Sequence, residues 1–234
     1  MRRSLGLLVA MVVVSTALAA CGDTGDGDGR GAAAVAATTR TSPQTRPPEA
    51  PPLDDVARAE RALVRLADLP DGWSEQAGHV TRLRCGGFEP FAGASAIVRS
   101  RRLTQEHSGV QERIALYRSP AAAARALRRL DSSTAVRCLR QELRRRVSEE
   151  AGGPARPAEV MRAERLGPTS NARRYISEGV GNYGKFVGYI DAVHARVGRA
   201  LAALVVVSGP GPPDEALYER VVALVTRRLD ATLG

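Results

Sequence analysis

Three cysteines, three histidines and a few serines are the groups in this chain with chemistry to offer, and Cys21 is the most telling of them. Leu18-Ala19-Ala20-Cys21 follows Arg2-Arg3 and an apolar run from Leu5 to Leu18. A basic start, a short apolar run and small residues at the cut make a secretory signal peptide, and a cysteine at the cut makes it a lipobox. Residues 1–20 are therefore expected to be removed. Cys21 then becomes the first mature residue, its sulfur carries a diacylglyceryl group, and palmitate is among the expected acyl chains. The run from Leu5 to Leu18 is 14 residues, short of the roughly 20 that span a bilayer as a helix. Two acyl chains anchor stably where one does not, because each buried methylene contributes about 0.8 kcal/mol. The competing reading is a plain secretory signal with an incidental cysteine. Arg2-Arg3-Ser4-Leu5 also matches half of a twin-arginine signal. The expected location is the extracytoplasmic face of the cell membrane, with the membrane itself as a partner through diacylglyceryl-Cys21.

With Cys21 committed to lipid, Cys85 and Cys138 remain. In an oxidising exterior two cysteines in one domain pair, which predicts a Cys85–Cys138 disulfide closing a loop of about 54 residues. The other reading is two buried free thiols. His79, His107 and His194 have no metal-ligand spacing to the cysteines or to one another, so neither a metal nor a cofactor is expected.

Catalysis has little to stand on. Ser95 and Ser170 lie in no Gly-x-Ser-x-Gly frame. His107 with Glu106, and His194 with Asp191, can be drawn as dyads, but each histidine also reads as an ordinary strand or loop residue. Gly179-Val180-Gly181-Asn182-Tyr183-Gly184 has G-x-G-x-x-G spacing, yet a strand pattern follows where a phosphate-binding turn needs a helix. It reads as a hairpin loop. A hydrolase is thus a minor alternative, and the chain is expected not to be an enzyme.

The elements that must position these groups begin after a tether. Residues 22–52 are mostly Gly, Asp, Ala, Thr and Pro with no aromatic residue, too apolar-poor to offset ordering entropy. As a flexible chain they span roughly 30 Å, from about 5–6 Å times the square root of residue number. Pro43 to Pro52 should be stiffer and more extended. Residues 53–234 read as one domain, with Gly152-Gly153-Pro154-Ala155-Arg156-Pro157 as a loop inside it.

Within the domain, Asp54 or Asp55 caps a helix whose apolar positions are Val56, Ala59, Leu63, Leu66 and Ala67. It stops at Leu69-Pro70-Asp71-Gly72, ahead of Trp73. A short strand is expected near His79–Arg84, a loop over Gly86–Phe91, and strands over Ala94–Arg102 and Gly109–Tyr117. Ser119-Pro120 opens a helix to about Leu130. Ser133 or Thr134 caps a second helix to about Glu149, with Ala135, Leu139, Leu143 and Val147 inward, Cys138 beside them, and Arg137, Arg140, Arg144 and Arg145 outward. Strands follow over Val160–Leu166, Ala172–Glu178, Phe186–Val197 and Ala200–Val207, with a hairpin turn at Val197-Gly198-Arg199. Tyr183, Phe186, Tyr189 and Ile190 read as packing residues rather than a ligand shelf. Asp214 caps a closing helix striped by Leu217, Val221, Leu224, Val225 and Leu229. The order predicts an α+β fold: a twisted antiparallel sheet with helices packed mainly on one face.

The net charge is +9, or +7 once Arg2 and Arg3 leave with the signal peptide. A basic balance ordinarily points to nucleic acid or an acidic surface. Here Lys185 is the single lysine and every other basic residue is arginine, the usage of a GC-rich genome. Export also argues against nucleic acid as a partner. The outward arginines of the second helix read as a solvated face, with an anion- or membrane-facing patch as the alternative.

Lipobox, tether, opening helix, Leu69-Pro70-Asp71-Gly72-Trp73, a cysteine before strands, Tyr117-Arg118-Ser119-Pro120-Ala121-Ala122-Ala123-Ala124, a second cysteine, then Tyr189-Ile190-Asp191 and Arg196-Val197-Gly198-Arg199 before a final helix form a familiar order. It resembles actinobacterial surface lipoproteins whose domain is similar to the extracellular sensor domain of the mycobacterial serine/threonine kinase H. The resemblance covers roughly residues 53–234. It implies a twisted antiparallel sheet and helices framing a cleft proposed to bind a ligand. That sensor domain uses two disulfides, whereas only Cys85 and Cys138 are available here, and no kinase half is present, so signalling by phosphorylation does not carry over. The expected role is a non-enzymatic envelope lipoprotein that binds a small ligand or a partner protein in a concave, partly apolar pocket near Trp73, Phe88 and Phe91. A carrier of lipid or lipoglycan is the alternative, and it requires a large apolar cavity.

Overall fold

The computed structural model describes residues 53–78, 88–156, 159–167, 169–181 and 184–234. The lipobox with Cys21, the tether, the expected strand near His79–Arg84, Cys85 and Tyr183 lie outside the described residues.

Helix α1 (Leu53–Ala62) carries Asp54 and Asp55 in its first turn, where carboxylates suit the helix dipole. It ends before Leu63, and a separate 3-10 turn over Leu66–Asp68 takes up the apolar positions beyond it. Four strands follow: β1 (Ser74–Gln76), β2 (Ala96–Arg99), β3 (Arg102–Gln105) and β4 (Ser108–Leu116). Helices α2 (Pro120–Leu130) and α3 (Ser133–Ala151) lead to four long strands: β5 (Glu159–Gly167), β6 (Ser170–Gly181), β7 (Gly184–Val197) and β8 (Ala200–Ser208). The chain ends with α4 (Glu215–Leu233).

Local chemistry sets the helix starts. Ser119 Oγ accepts from the Ala122 N–H at 3.2 Å with Pro120 in the first turn. Asp214 accepts from Ala216 N–H at 2.9 Å. The cap of α3 is Ser132, one residue before the expected Ser133, and it accepts from Ala135 N–H at 3.3 Å. Gly152, at φ 66°, closes α3 in the left-handed conformation that glycine adopts without a Cβ penalty.

The strands form one antiparallel sheet in the order β1-β3-β4-β8-β7-β6-β5, with β2 also pairing to β4. The expected single strand over Ala94–Arg102 is broken at Ser100–Arg101. There the Ser100 hydroxyl accepts from Glu112 N–H at 2.9 Å and takes a carbonyl's place in the ladder. As a result β2 and β3 share one edge of β4. The hairpin turn at Gly198 and the glycine-bounded β6–β7 hairpin stand where the sequence placed them.

The α+β class and antiparallel sheet are as expected, but the helices divide between the two faces rather than grouping on one. Even-numbered residues of β4 and β8, such as Ile114, Ala202 and Leu204, pack with α1 and α4, through Ala59, Ala62, Val221 and Leu229. Odd-numbered residues of the same strands, including Ala115, Leu201 and Ala203, pack with α2. Tyr175, Ile190 and Ala192 pack with α3. The central strands must therefore be apolar on both sides, and β8, ALAALVVVS, is. Helix α3 sits unusually close to β6 and β7, because Gly179 and Gly188 have no side chain there. A Cβ on Gly188 would stand 2.6 Å from Val147 Cγ2.

Candidate functional site

The α2–α3 face of the sheet contains a cavity between its two apolar clusters. Its outer wall is the segment before β2, where Ala94 N–H donates to Phe91 O at 3.0 Å and Arg129 of α2 donates to Ala92 O at 2.6 Å. Those bonds hold Phe88 and Phe91 over the sheet. Leu130 and Leu139 close the helix side, and Ala203 and Val205 form part of the floor. Its volume is about 50 Å³. Small residues on the floor, Ala192 and Ala203, leave this space where larger ones would fill it.

Three polar side chains converge on the apolar walls: Gln111 and Arg113 from β4, and His194 from β7. They share a face because Gln111 and Arg113 are two apart on one strand, while His194 sits opposite Ala203 in the adjoining pair. Gln111 donates to Ser100 O at 3.4 Å and Gly78 O at 3.3 Å. Burial, then the neighbouring Arg99, lowers the pKa of Arg113, which stays charged at any physiological pH. His194 Nδ1 lies 3.0 Å from Asn171 Oδ1. With that oxygen as acceptor, Nδ1 carries the proton and Nε2 is left as an acceptor. Burial pushes the imidazole pKa down to about 4, so His194 is neutral near pH 7. One cation, one neutral imidazole and one amide thus line apolar walls, the composition of a small-ligand site.

Of the expected ligand residues, Phe88 and Phe91 meet in this cavity and Trp73 does not. Trp73 is 8% exposed and belongs to the core beneath α1 and α4 on the opposite face. Gln111, Arg113 and His194 were not singled out as a group. Their signal was parity, since alternate residues of a strand share a face.

The drawn dyads fare differently. Asp191 and His194 are three apart on β7 and so lie on opposite faces. Asp191 is instead held by Arg174, whose Nε and Nη2 donate to its two oxygens at 2.7 Å each. The guanidinium of Arg162 stacks 4.7 Å above the Tyr218 ring beside them. Glu106 and His107 form the two-residue turn between β3 and β4, with Glu106 at φ 48°, and both are exposed. The Ser95 hydroxyl is spent on Leu116 O at 2.9 Å. Among the described residues no group of His, Cys, Asp and Glu is arranged to hold a metal, and no helix is long and apolar enough to cross a membrane. The outward arginines of α3 are partly engaged in local bonds: Arg144 with Ala155 O at 3.1 Å, and Arg145 with Glu142 and Glu149. Cys138 is buried on α3 and disulfide-bonded.

No protein-family model matches the chain, and no curated protein matches it. Among solved structures, the extracellular domain of PknH from Mycobacterium tuberculosis is a structural neighbour. It has a TM-score of 0.39 and 8% sequence identity, covering 61% of this chain and 68% of that one.

Proposed function

We propose that this chain is an exported, lipid-anchored envelope protein, non-enzymatic and sensor-like, whose domain binds a small ligand in the cavity beneath α2 and α3. The observation that carries the binding reading is the convergence of Gln111, Arg113 and His194 on one apolar cavity. A ligand seated there would present an acceptor or negative charge to Arg113 and a hydrogen-bond donor to His194 Nε2. About 50 Å³ accommodates only a few heavy atoms, so this cavity has no room for an acyl chain and the lipid-carrier reading gains no support from it.

Native mass spectrometry of the full chain extracted from its own membranes tests the binding reading. A small-molecule adduct is expected on the wild type and is expected to be lost in Ala203→Leu, whose side chain fills the floor. Identical spectra for the two proteins would sink it. The anchor has its own test, which does not depend on the ligand. Cys21→Ser is expected to move the protein from the membrane fraction to the soluble fraction, because the diacylglyceryl group supplies the binding energy. Continued sedimentation with membranes would place the anchor elsewhere. The same reading pairs Cys85 with Cys138.

A further inference from the structure

A second cavity lies at the other end of the same sheet face, among the C-terminal half of α3, the β3–β4 hairpin and the ends of β7 and β8. Its volume is about 160 Å³, close to the roughly 150 Å³ of an apolar cavity known to take up benzene. The floor is apolar, built from Leu143, Val147, Phe186, Ile190 and Val207. The rim is cationic. Arg102 reaches it from β3, and Arg146 from α3.

Arg102 is half-buried, and its Nε is buried with no hydrogen-bond partner among the described residues. No carboxylate among those residues lies within ion-pair reach of it. An arginine in that condition leaves a strong donor unmet, which buried polar groups rarely tolerate. Arg146 does have a partner, Glu142 at 3.3 Å, but Glu142 also takes Arg145 at 2.7 Å and divides its single charge between them. Glu106 and Glu150 also line the cavity, and both are exposed to solvent. The cavity therefore combines an apolar floor with the guanidinium of Arg102, which has no carboxylate partner among the described residues.

We propose that this cavity binds a small amphipathic anion, a single carboxylate or phosphate head on an apolar body about the size of one ring. Arg102 takes the head through its planar fork, a geometry that matches both oxyanions, Arg146 adds a second positive charge, and the floor around Phe186 takes the body.

Benzoate and phenyl phosphate serve as probes, with benzyl alcohol as the neutral control, each titrated into the full chain and read by NMR at the Phe186 and Tyr189 rings. Saturable shifts are expected with at least one of the two anions and not with benzyl alcohol. Arg102→Met, which keeps an apolar stem, is expected to weaken that binding roughly tenfold or more, the cost of losing a charge-assisted hydrogen bond. Arg113→Met, in the other cavity, is expected to leave it unchanged. Should Arg102→Met fail to fold, Arg146→Met reads the same loss. Absence of saturable shifts with both anions, equal binding of benzyl alcohol, insensitivity to the rim arginines, or loss through Arg113→Met would each overturn the assignment.

Discussion

Replacing Glu112 by glutamine is expected to stabilise the protein at neutral and alkaline pH, by an amount that grows with pH. Glu112 lies on β4 beneath the end of α1 and is wholly buried. One oxygen accepts from Val64 N–H at 2.8 Å, and the other has no hydrogen-bond partner among the described residues. The nearby cation, Arg228, is bound to Asp68 through two contacts of 2.7 Å and to Leu63 O at 3.1 Å. Burial dominates and pushes the Glu112 carboxyl up to about 8. The unfolded chain ionises this group near its ordinary value of 4.5. Between the two values the unfolded state has released a proton that the folded state keeps, so stability falls as pH rises.

Glutamine keeps the acceptor for Val64 and removes the ionisation. Its amide leaves two N–H donors unmet where the neutral acid leaves one O–H, a cost that does not change with pH. The pH-dependent gain should be absent below about pH 4.5, grow with pH, and level off above about pH 8, on the order of 5 kcal/mol. Urea melts of both proteins at about pH 5, 7 and 9 measure it. A stability difference that does not change with pH would show that Glu112 is ionised in the folded protein.

The second large effect concerns the cysteines. Cys138 is buried and disulfide-bonded, and the proposed partner is Cys85. Cross-linking a loop of about 54 residues contributes on the order of 4 kcal/mol in the chain-entropy model. Cys138→Ala and Cys85→Ala are each expected to cost about that much. The double variant is expected to cost no more than either single one, because the bond can be lost only once. Denaturant melts of the three variants under non-reducing conditions check this. Costs that add would mean that the two thiols act separately.

The long strands β5 to β8 were legible because each is an apolar or alternating run bounded by turn residues, and most of their ends agree within two residues. The starts of α2, α3 and α4 were legible for the same local reason, a serine or aspartate accepting from a free N–H of the first turn, whereas α1 begins at Leu53 and takes Asp54 and Asp55 into its first turn rather than as caps. What the sequence hid is relational. Helical periodicity tells which side of a helix is buried, not which side of the sheet receives it, so the division of α1 and α4 from α2 and α3 could not be read. Ser100 breaks the β2–β3 run through a hydroxyl that stands in for a backbone acceptor, and a serine in a strand carries no mark of that. Trp73 was grouped with Phe88 and Phe91 as a ligand residue, yet an aromatic side chain fills a core as readily as a pocket. The Asp191–His194 dyad, which the sequence offered only as a weak alternative, could have been set aside on spacing alone. The separation of three already put the two side chains on opposite faces once β7 was recognised as a strand.

The strand order has a consequence for the timing of folding. β4 has β2 and β3 along one edge, and its other edge is taken by β8, made near the end of the chain. α1 rests mainly on α4, which is made later still. The N-terminal third therefore cannot complete its core until the last strand and helix arrive, and closing so long a loop delays folding. A chain threaded through a narrow export channel N-terminus first would remain unlocked until nearly all of it had crossed. The topology itself would hold it in a transportable state without any separate device.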